Sequence, residues 1–301
     1  MPKSSYRKSP EKGFRKLAMA FWEAPKDGII NGTMKLNVLK TRQFQKDVEA
    51  KYGIRLTIGQ LMGRAVSVAL TATPEGNAKI IWGQAWIKDT VDVYYQVDID
   101  DGGDLSGVVV PDVGKKTIVE VNEALMASAR RLKSGQDVQY EKTQKGLLPL
   151  LPSWMLGPIM RFLMFMEYNL GITARWVGAQ NEPFGTVMVT NVSRFGIDVA
   201  YAPLVPLSRV PFIILVGGVT DQPWVVRGKL CVRPVVSASA SIDHRLMDGN
   251  KIGRIARRVV DYMQNPYPYE AALGLEEPWE GIHPPPGHPA LDYEGDEAPR
   301  D

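Results

Sequence analysis

Apolar and polar positions recur along the chain with two periods, and the switches between them outline the elements. Met34, Leu36 and Val38 fall on every second position, as one face of a strand does. A polar helix over about 41–51 ends at Gly53, after which Thr57 stands where a cap belongs. Ile58, Leu61, Met62, Ala65, Val68 and Ala69 then mark one buried helix face. The segment 86–99 reads as a strand pair or one long strand through Val91, Val93, Tyr95 and Val97, and 107–110 as a short buried strand. Ile118, Val121, Leu125, Ala129 and Leu132, spaced by three and four, predict an amphipathic helix stopped at Gly135. Strands follow at 186–192, 212–216 and 232–242. The last leads through residues 243–250 into a helix over 251–264, with Ile252, Ile255, Val259 and Met263 on one face and Arg254, Arg257 and Arg258 elsewhere. Strands interleaved with helices predict an α/β fold, a mixed sheet covered by helices.

Composition divides the chain into three zones. A basic arm, 1–13, precedes a folded body, 14–265, and a Pro-rich acidic tail, 266–301, expected to be mostly disordered or draped on the surface. Residues 1–16 hold six Lys or Arg against one Glu, with no apolar run after them that would serve as a signal peptide's core. With 36 basic against 33 acidic residues the net charge is +3, so no global field points to nucleic acid. The single Cys231 excludes an internal disulfide and a cysteine-based zinc cluster; it fits a reducing compartment, and cytoplasm is the expected location. Inside the body an apolar insert runs over about 136–183. Its densest part, 147–170, is a poor membrane span, because Pro149, Pro152 and Pro158 break one half while Arg161 and Glu167 charge the other.

Of three histidines, His283 and His288 sit in the tail, which leaves His244 alone in the body. One imidazole and one distant thiol cannot supply a nitrogen and sulfur metal site, so no metal is expected. General acid or base work needs only one imidazole. His244 lies where a strand ends and a glycine-containing loop begins, a place that suits a side chain held rigidly at a cleft. It suits equally a core histidine satisfied by the backbone.

The segment Asp243-His244-Arg245-Leu246-Met247-Asp248-Gly249 resembles the Asp-His-Arg-x-x-Asp-Gly signature of the dihydrolipoamide acyltransferase components of 2-oxo acid dehydrogenase complexes, whose fold is that of chloramphenicol acetyltransferase. Gly185-Thr186-Val187-Met188-Val189-Thr190-Asn191 resembles that family's Gly-Thr-Phe-Thr-Ile-Ser-Asn strand, and Phe195-Gly196 the Phe-Gly after it. Thr73-Pro74-Glu75-Gly76-Asn77, 107–113, 203–219 and 230–241 are similar to further family segments in the same order. The resemblance implies a chloramphenicol acetyltransferase-like fold and acyl transfer between coenzyme A, as a substrate, and a lipoyl-type thiol. It puts the general base on His244, the oxyanion-donating hydroxyl on Thr190, where the family usually has serine, and the motif acid on Asp248, which either orders the histidine loop through polar contacts or is a turn acid before Gly249 that bonds its own backbone. Arg245 is left a structural part, holding Asp243 or another carboxylate. No residue is assigned to holding coenzyme A. The family builds its site between neighbouring subunits, so a homotrimer is expected.

Three departures qualify what the resemblance implies. It begins within about fifteen residues of Met1, so no lipoyl attachment is expected on this chain and a lipoyl-bearing protein would act in trans. The insert is open to three readings: extra core under the sheet, an added subunit or partner interface, or a helix lying on a membrane surface. The chain also continues past the last helix through Tyr267 and Tyr269, where shell-forming relatives end in an apolar anchor. Two other functions stay open: a non-catalytic trimeric scaffold, and an acyltransferase acting on a small alcohol or amine.

Overall fold

A computed structural model describes residues 28–98, 105–133, 152–173, 182–206, 208–226 and 228–277. Strand β1 (Ile29–Asn37) leads into helices α1 (Leu39–Tyr52) and α2 (Ile58–Thr71). A small sheet of β2 (Ala78–Ile81) and β3 (Gln84–Ile87) follows, then β4 (Val93–Asp98), β5 (Leu105–Val110) and α3 (Ile118–Lys133). After α4 (Ser153–Phe165) come β6 (Val187–Asn191), β7 (Phe212–Val226), β8 (Lys229–Asp243) and α5 (Gly249–Gln264). The main sheet has six strands in the order β1-β8-β7-β6-β4-β5. β7–β6 and β6–β4 are parallel and the other pairs antiparallel, so the sheet is mixed, as predicted.

Local chemistry sets the boundaries. α1 stops at Gly53, whose left-handed φ of +67° a side chain would strain. α2 opens with a reciprocal cap: the Thr57 hydroxyl accepts from the Gln60 N–H at 3.2 Å, and the Gln60 side chain accepts from the Thr57 N–H at 2.7 Å. Leu61, Met62, Ala65, Val66 and Ala69 of α2 are buried against the sheet. Gly63 is required there, because a Cβ would stand 2.2 Å from the Tyr95 hydroxyl. Ile255, Val259, Tyr262 and Met263 of α5 join the same core, each side chain contributing roughly 1.5–3 kcal/mol by leaving water.

The 86–99 segment is two strands in different sheets. β3 pairs with β2, and β4 pairs with β5 and β6. The strands expected at 212–216 and 232–242 are longer, forming one hairpin that continues past a register shift between Val216 and Val219. Gly217 and Gly218 end the apolar run at 212–216 and sit at that shift, where a Cβ on Gly217 would meet the Asp198 carbonyl at 2.2 Å.

The tail boundary at residue 265 needs correction. Residues Tyr267–Leu273 form a 3-10 helix with Tyr267, Glu270 and Leu273 buried. The Glu270 carboxylate accepts from Arg64 Nε at 2.8 Å, from the Ile118 N–H at 2.8 Å and from the Tyr262 hydroxyl at 3.0 Å. These bonds explain why an acidic, proline-flanked stretch stays inside: its charge is paired and its lone pairs are filled. The rest of that tail, from 278, lies outside the described residues, as do the basic arm and much of the insert.

The described part of the insert is α4 followed by a π-helical turn, Met166–Leu170. Leu156, Leu163, Met164 and Tyr168 are buried but stand apart from the main core cluster. Trp82, in the β2–β3 turn, packs on Phe165, and Lys79 of β2 lies 4.7 Å from the centre of the Tyr168 ring. The expectation of extra core is therefore met only as a satellite at the small sheet. Among the described residues no helix is long and apolar enough to cross a membrane.

Candidate active site

Strand alternation decides which face each candidate side chain meets. Val187, Val189, Ile214, Val216, Ala238 and Ile242 point to the helix-covered core. Their neighbours Thr190, Leu215 and Ser239, paired rung by rung across β6, β7 and β8, point to the opposite face. There the Thr190 hydroxyl donates to the side-chain carbonyl of Gln96 on β4. The alternation of β4 already set Gln96 opposite the core-facing Val93 and Tyr95, but nothing in the sequence marked it as a partner of Thr190.

His244 follows the last residue of β8. Its backbone N–H donates to Gly28 O at 2.8 Å, and the Asp243 N–H donates to Pro211 O at 2.8 Å, so backbone on both sides fixes where the ring leaves the sheet. The ring is exposed, and among the described residues it makes no hydrogen bond. It is thus not a core histidine satisfied by its surroundings.

The bracing is ionic and local. Asp243, buried, accepts from Arg245 Nε at 2.9 Å, from Arg245 Nη2 at 2.6 Å and from the Arg245 N–H at 3.0 Å. The forked contact pushes the guanidinium's pKa still higher and ties the two residues flanking His244 to each other. That is the structural part left to Arg245 by the sequence.

Asp248 closes the loop on its other side. It is the N-cap of α5, and its carboxylate accepts from the Lys251 N–H at 2.9 Å. That backbone donor holds its carboxyl below the usual carboxylate range, so the cap is an anion at the positive end of the helix.

Thr190 and His244 do not meet within the chain. His244 is level with Val210, five residues before Leu215, the rung partner of Thr190, and two strands away from β6. At about 3.3 Å per residue and 4.8 Å per strand the two backbones stand on the order of 19 Å apart. Side chains cannot close that gap to the ~3 Å that a shared reaction centre needs. Among the described residues no group of three or more His, Cys, Asp or Glu side chains is placed to hold a metal.

Residues 12–146 and 180–269 match the family model described as 2-oxoacid dehydrogenases acyltransferase (catalytic domain). A curated relative, the dihydrolipoyllysine-residue acetyltransferase component of the pyruvate dehydrogenase complex of Acholeplasma laidlawii, is 23% identical over 227 residues, covering 75% of this chain. The chain spans 34% of that relative's length. Two solved structures share the fold. The probable dihydrolipoamide acetyltransferase of Listeria monocytogenes 4b F2365 is 16% identical with a TM-score of 0.61, covering 87% of this chain and 95% of that one. The Azotobacter vinelandii dihydrolipoamide acetyltransferase is 17% identical with a TM-score of 0.61, covering 88% and 95%. The match leaves out 147–179, which lies inside the insert foreseen at about 136–183.

Proposed function

Because the chain belongs to the 2-oxoacid dehydrogenases acyltransferase (catalytic domain) family, we propose that it moves an acyl group between coenzyme A and a lipoyl-type thiol carried by another protein, at sites formed between copies in a homotrimer. The observation that carries this reading is His244: an exposed imidazole at the end of a central strand, with backbone bonds and the Asp243–Arg245 pair fixing its base. In the Azotobacter vinelandii protein the catalytic mechanism has been examined through a serine, a histidine and an asparagine, the last two four positions apart. His244 and Asp248 keep that interval, and Thr190 offers a hydroxyl in the serine's place.

In the proposed step the His244 imidazole takes the proton of the attacking thiol, and the sulfur bonds to the thioester carbonyl carbon. The carbonyl becomes an oxyanion, to which the Thr190 hydroxyl of a neighbouring chain donates a hydrogen bond. The tetrahedral intermediate collapses, the carbon–sulfur bond of the leaving thiol breaks, and the imidazolium returns its proton to that sulfur. Asp248 takes no proton; it holds the loop by capping α5.

Purified protein given acetyl-coenzyme A and dihydrolipoamide is expected to release free coenzyme A, and His244→Ala to lower the rate by about a hundredfold or more. Equal rates for variant and parent would remove His244 from the mechanism. Turnover with small alcohols or amines and none with thiols would replace the acceptor.

A further inference from the structure

Two backbone hydrogen bonds decide where the His244 ring leaves the sheet, and one of them is anchored beside a residue of uncommon conformation. The Pro211 carbonyl, which accepts from the Asp243 N–H at 2.8 Å, lies one step beyond the Phe212–Ile242 rung of β7 and β8. The residues just before Pro211 are tied to one another. The fully buried Ser208 hydroxyl donates to Val205 O at 2.8 Å and accepts from the Val210 N–H at 3.1 Å. Between Ser208 and Val210, Arg209 holds φ at +52°. A residue with a side chain keeps that left-handed conformation only where its surroundings enforce it.

The enforcing contacts come from the Arg209 side chain. Its Nη1 donates to Ile80 O of β2 at 3.1 Å, its Nη2 donates to Asn169 Oδ1 at 2.5 Å, and the guanidinium lies 5.1 Å from the Tyr168 ring centre. Tyr168 and Asn169 belong to the π-helical turn that follows α4, a rare kind of turn that recurs at functional sites. That turn is itself fastened on several sides. Trp82 Nε1 donates to Asn169 O at 3.1 Å, and the Lys79 ammonium lies 4.7 Å from the Tyr168 ring centre. The Glu167 carboxylate accepts from the Glu182 N–H at 3.3 Å, and Glu182 pairs with Lys79 and Lys88. Lys88 also pairs with Asp92 at 2.7 Å, and the Asp92 carbonyl accepts from the Thr186 N–H at 2.7 Å, just before β6. One turn of the insertion thus touches the approaches to both β6 and β7. Trp82, Glu182 and Arg209, all around this turn, are three of the four non-glycine residues with positive φ among those described.

From the insertion to His244 the path is short. Asn169 holds Arg209, Arg209 stands two residues before Pro211, Pro211 holds Asp243, and Asp243 grips Arg245 on the far side of the histidine. We propose that Arg209, braced by Asn169 of the insertion, is a positioning residue for His244. Two bonds from one planar guanidinium set a direction as well as a distance, which the point charge of a lysine does not reproduce. They fix the backbone ahead of Pro211 and, through its carbonyl, the place where β8 ends. The family match includes Arg209, Pro211 and His244 but passes over 147–179, so the brace reaches the matched domain from residues outside it. A displacement of about 1 Å at a reacting group costs on the order of a hundredfold in rate, which sets the scale of the effect. The inference rests on the reading of His244 as the general base.

The full chain is compared with Arg209→Met, Asn169→Ala, their double variant and Arg209→Lys, with circular dichroism and thermal melting to verify folding. Coenzyme A release from acetyl-coenzyme A and dihydrolipoamide gives kcat and KM, and hydrogen exchange follows the amides of 240–246 against those of α2. Arg209→Met and Asn169→Ala are each expected to lower kcat by about ten- to a hundredfold with KM within about twofold of the parent's. The double variant should be no slower than Arg209→Met, since both changes break one link, and Arg209→Lys should fall between Arg209→Met and the parent. Exchange at Asp243 and His244 should quicken by about tenfold or more while α2 keeps its protection. A folded Arg209→Met with the parent's kcat, or with its loss in KM alone, overturns the proposal. So does a double variant slowed by the product of the two single effects, or exchange that quickens equally in α2. If Arg209→Met does not fold, Asn169→Ala, at a half-buried position of the insertion, decides by the same kcat and exchange criteria. His244→Ala at the parent rate would overturn both this inference and the catalytic reading, whereas an inactive His244→Ala beside a fully active Arg209→Met would overturn this inference alone.

Discussion

The separation of Thr190 from His244 yields a prediction that needs no structure of an assembly. The two groups stand on the order of 19 Å apart in one chain, so a reaction centre that uses both must take them from different copies. His244→Ala removes the base, and Thr190→Val removes the hydroxyl while keeping the side chain's shape; each alone is expected to leave about one percent of the parent rate or less. When equal amounts of the two variants are unfolded together and refolded, each contact has one chance in two of receiving an intact His244 and one in two of an intact Thr190. About a quarter of the sites are then whole, and activity should rise to about a quarter of the parent's. Mixing the parent with a His244→Ala/Thr190→Val double variant sharpens the test. Sites shared between chains leave about a quarter of the sites intact, whereas sites within one chain leave about half. The assay is coenzyme A release, with distinguishable tags on the two chains to prove that mixed assemblies form. Mixed assemblies that remain as inactive as the single variants would refute the shared site.

Other consequences follow from individual contacts. Asp248→Asn should keep the cap on α5, because asparagine serves there as well as aspartate, and leave melting temperature and rate near the parent's, whereas Asp248→Ala should lower both; a dead but stable Asp248→Asn would show that the carboxylate itself takes part in chemistry. Burial pushes the Lys79 amine down to about 7 from an ordinary value near 10.5, against a setting of Lys88, Asp92, Glu167, Glu182 and Arg209. The unfolded chain then binds the extra proton between these values, so stability should rise with pH from 7 toward 10.5 and be lowest below 7, and Lys79→Met should flatten that slope in denaturant titrations. Gly63→Ala, worth about 1 kcal/mol of gain in an open helix, should instead destabilise by about 1–3 kcal/mol in thermal melts, because its Cβ drives into the Tyr95 ring.

The contrast between what the sequence announced and what it concealed has a physical cause. Features encoded within one element were legible: the Thr57 cap, the stop at Gly53, the alternation of 232–242 and the helix after His244 depend on neighbours a few residues away. The motif around His244 belongs to this class, since its bracing by Asp243, Arg245 and Asp248 spans six residues. What stayed hidden depends on partners far along the chain. Glu270 reads as a tail acid until Arg64, Ile118 and Tyr262 surround it, contacts up to 206 residues apart. Gln96 gains significance only when β4 and β6 lie side by side and set it against Thr190.

The insertion carries the same lesson a step further. The insert could be read as extra core, an added interface or a membrane-surface helix, because its sequence does not say which side of a helix there is to be covered, or by what. Folding answers half of that question by burying Leu156, Leu163 and Met164. The other flank mixes Arg161 with Trp154, Phe162 and Phe165, all exposed, so no clean division of apolar from polar positions marks it in the sequence.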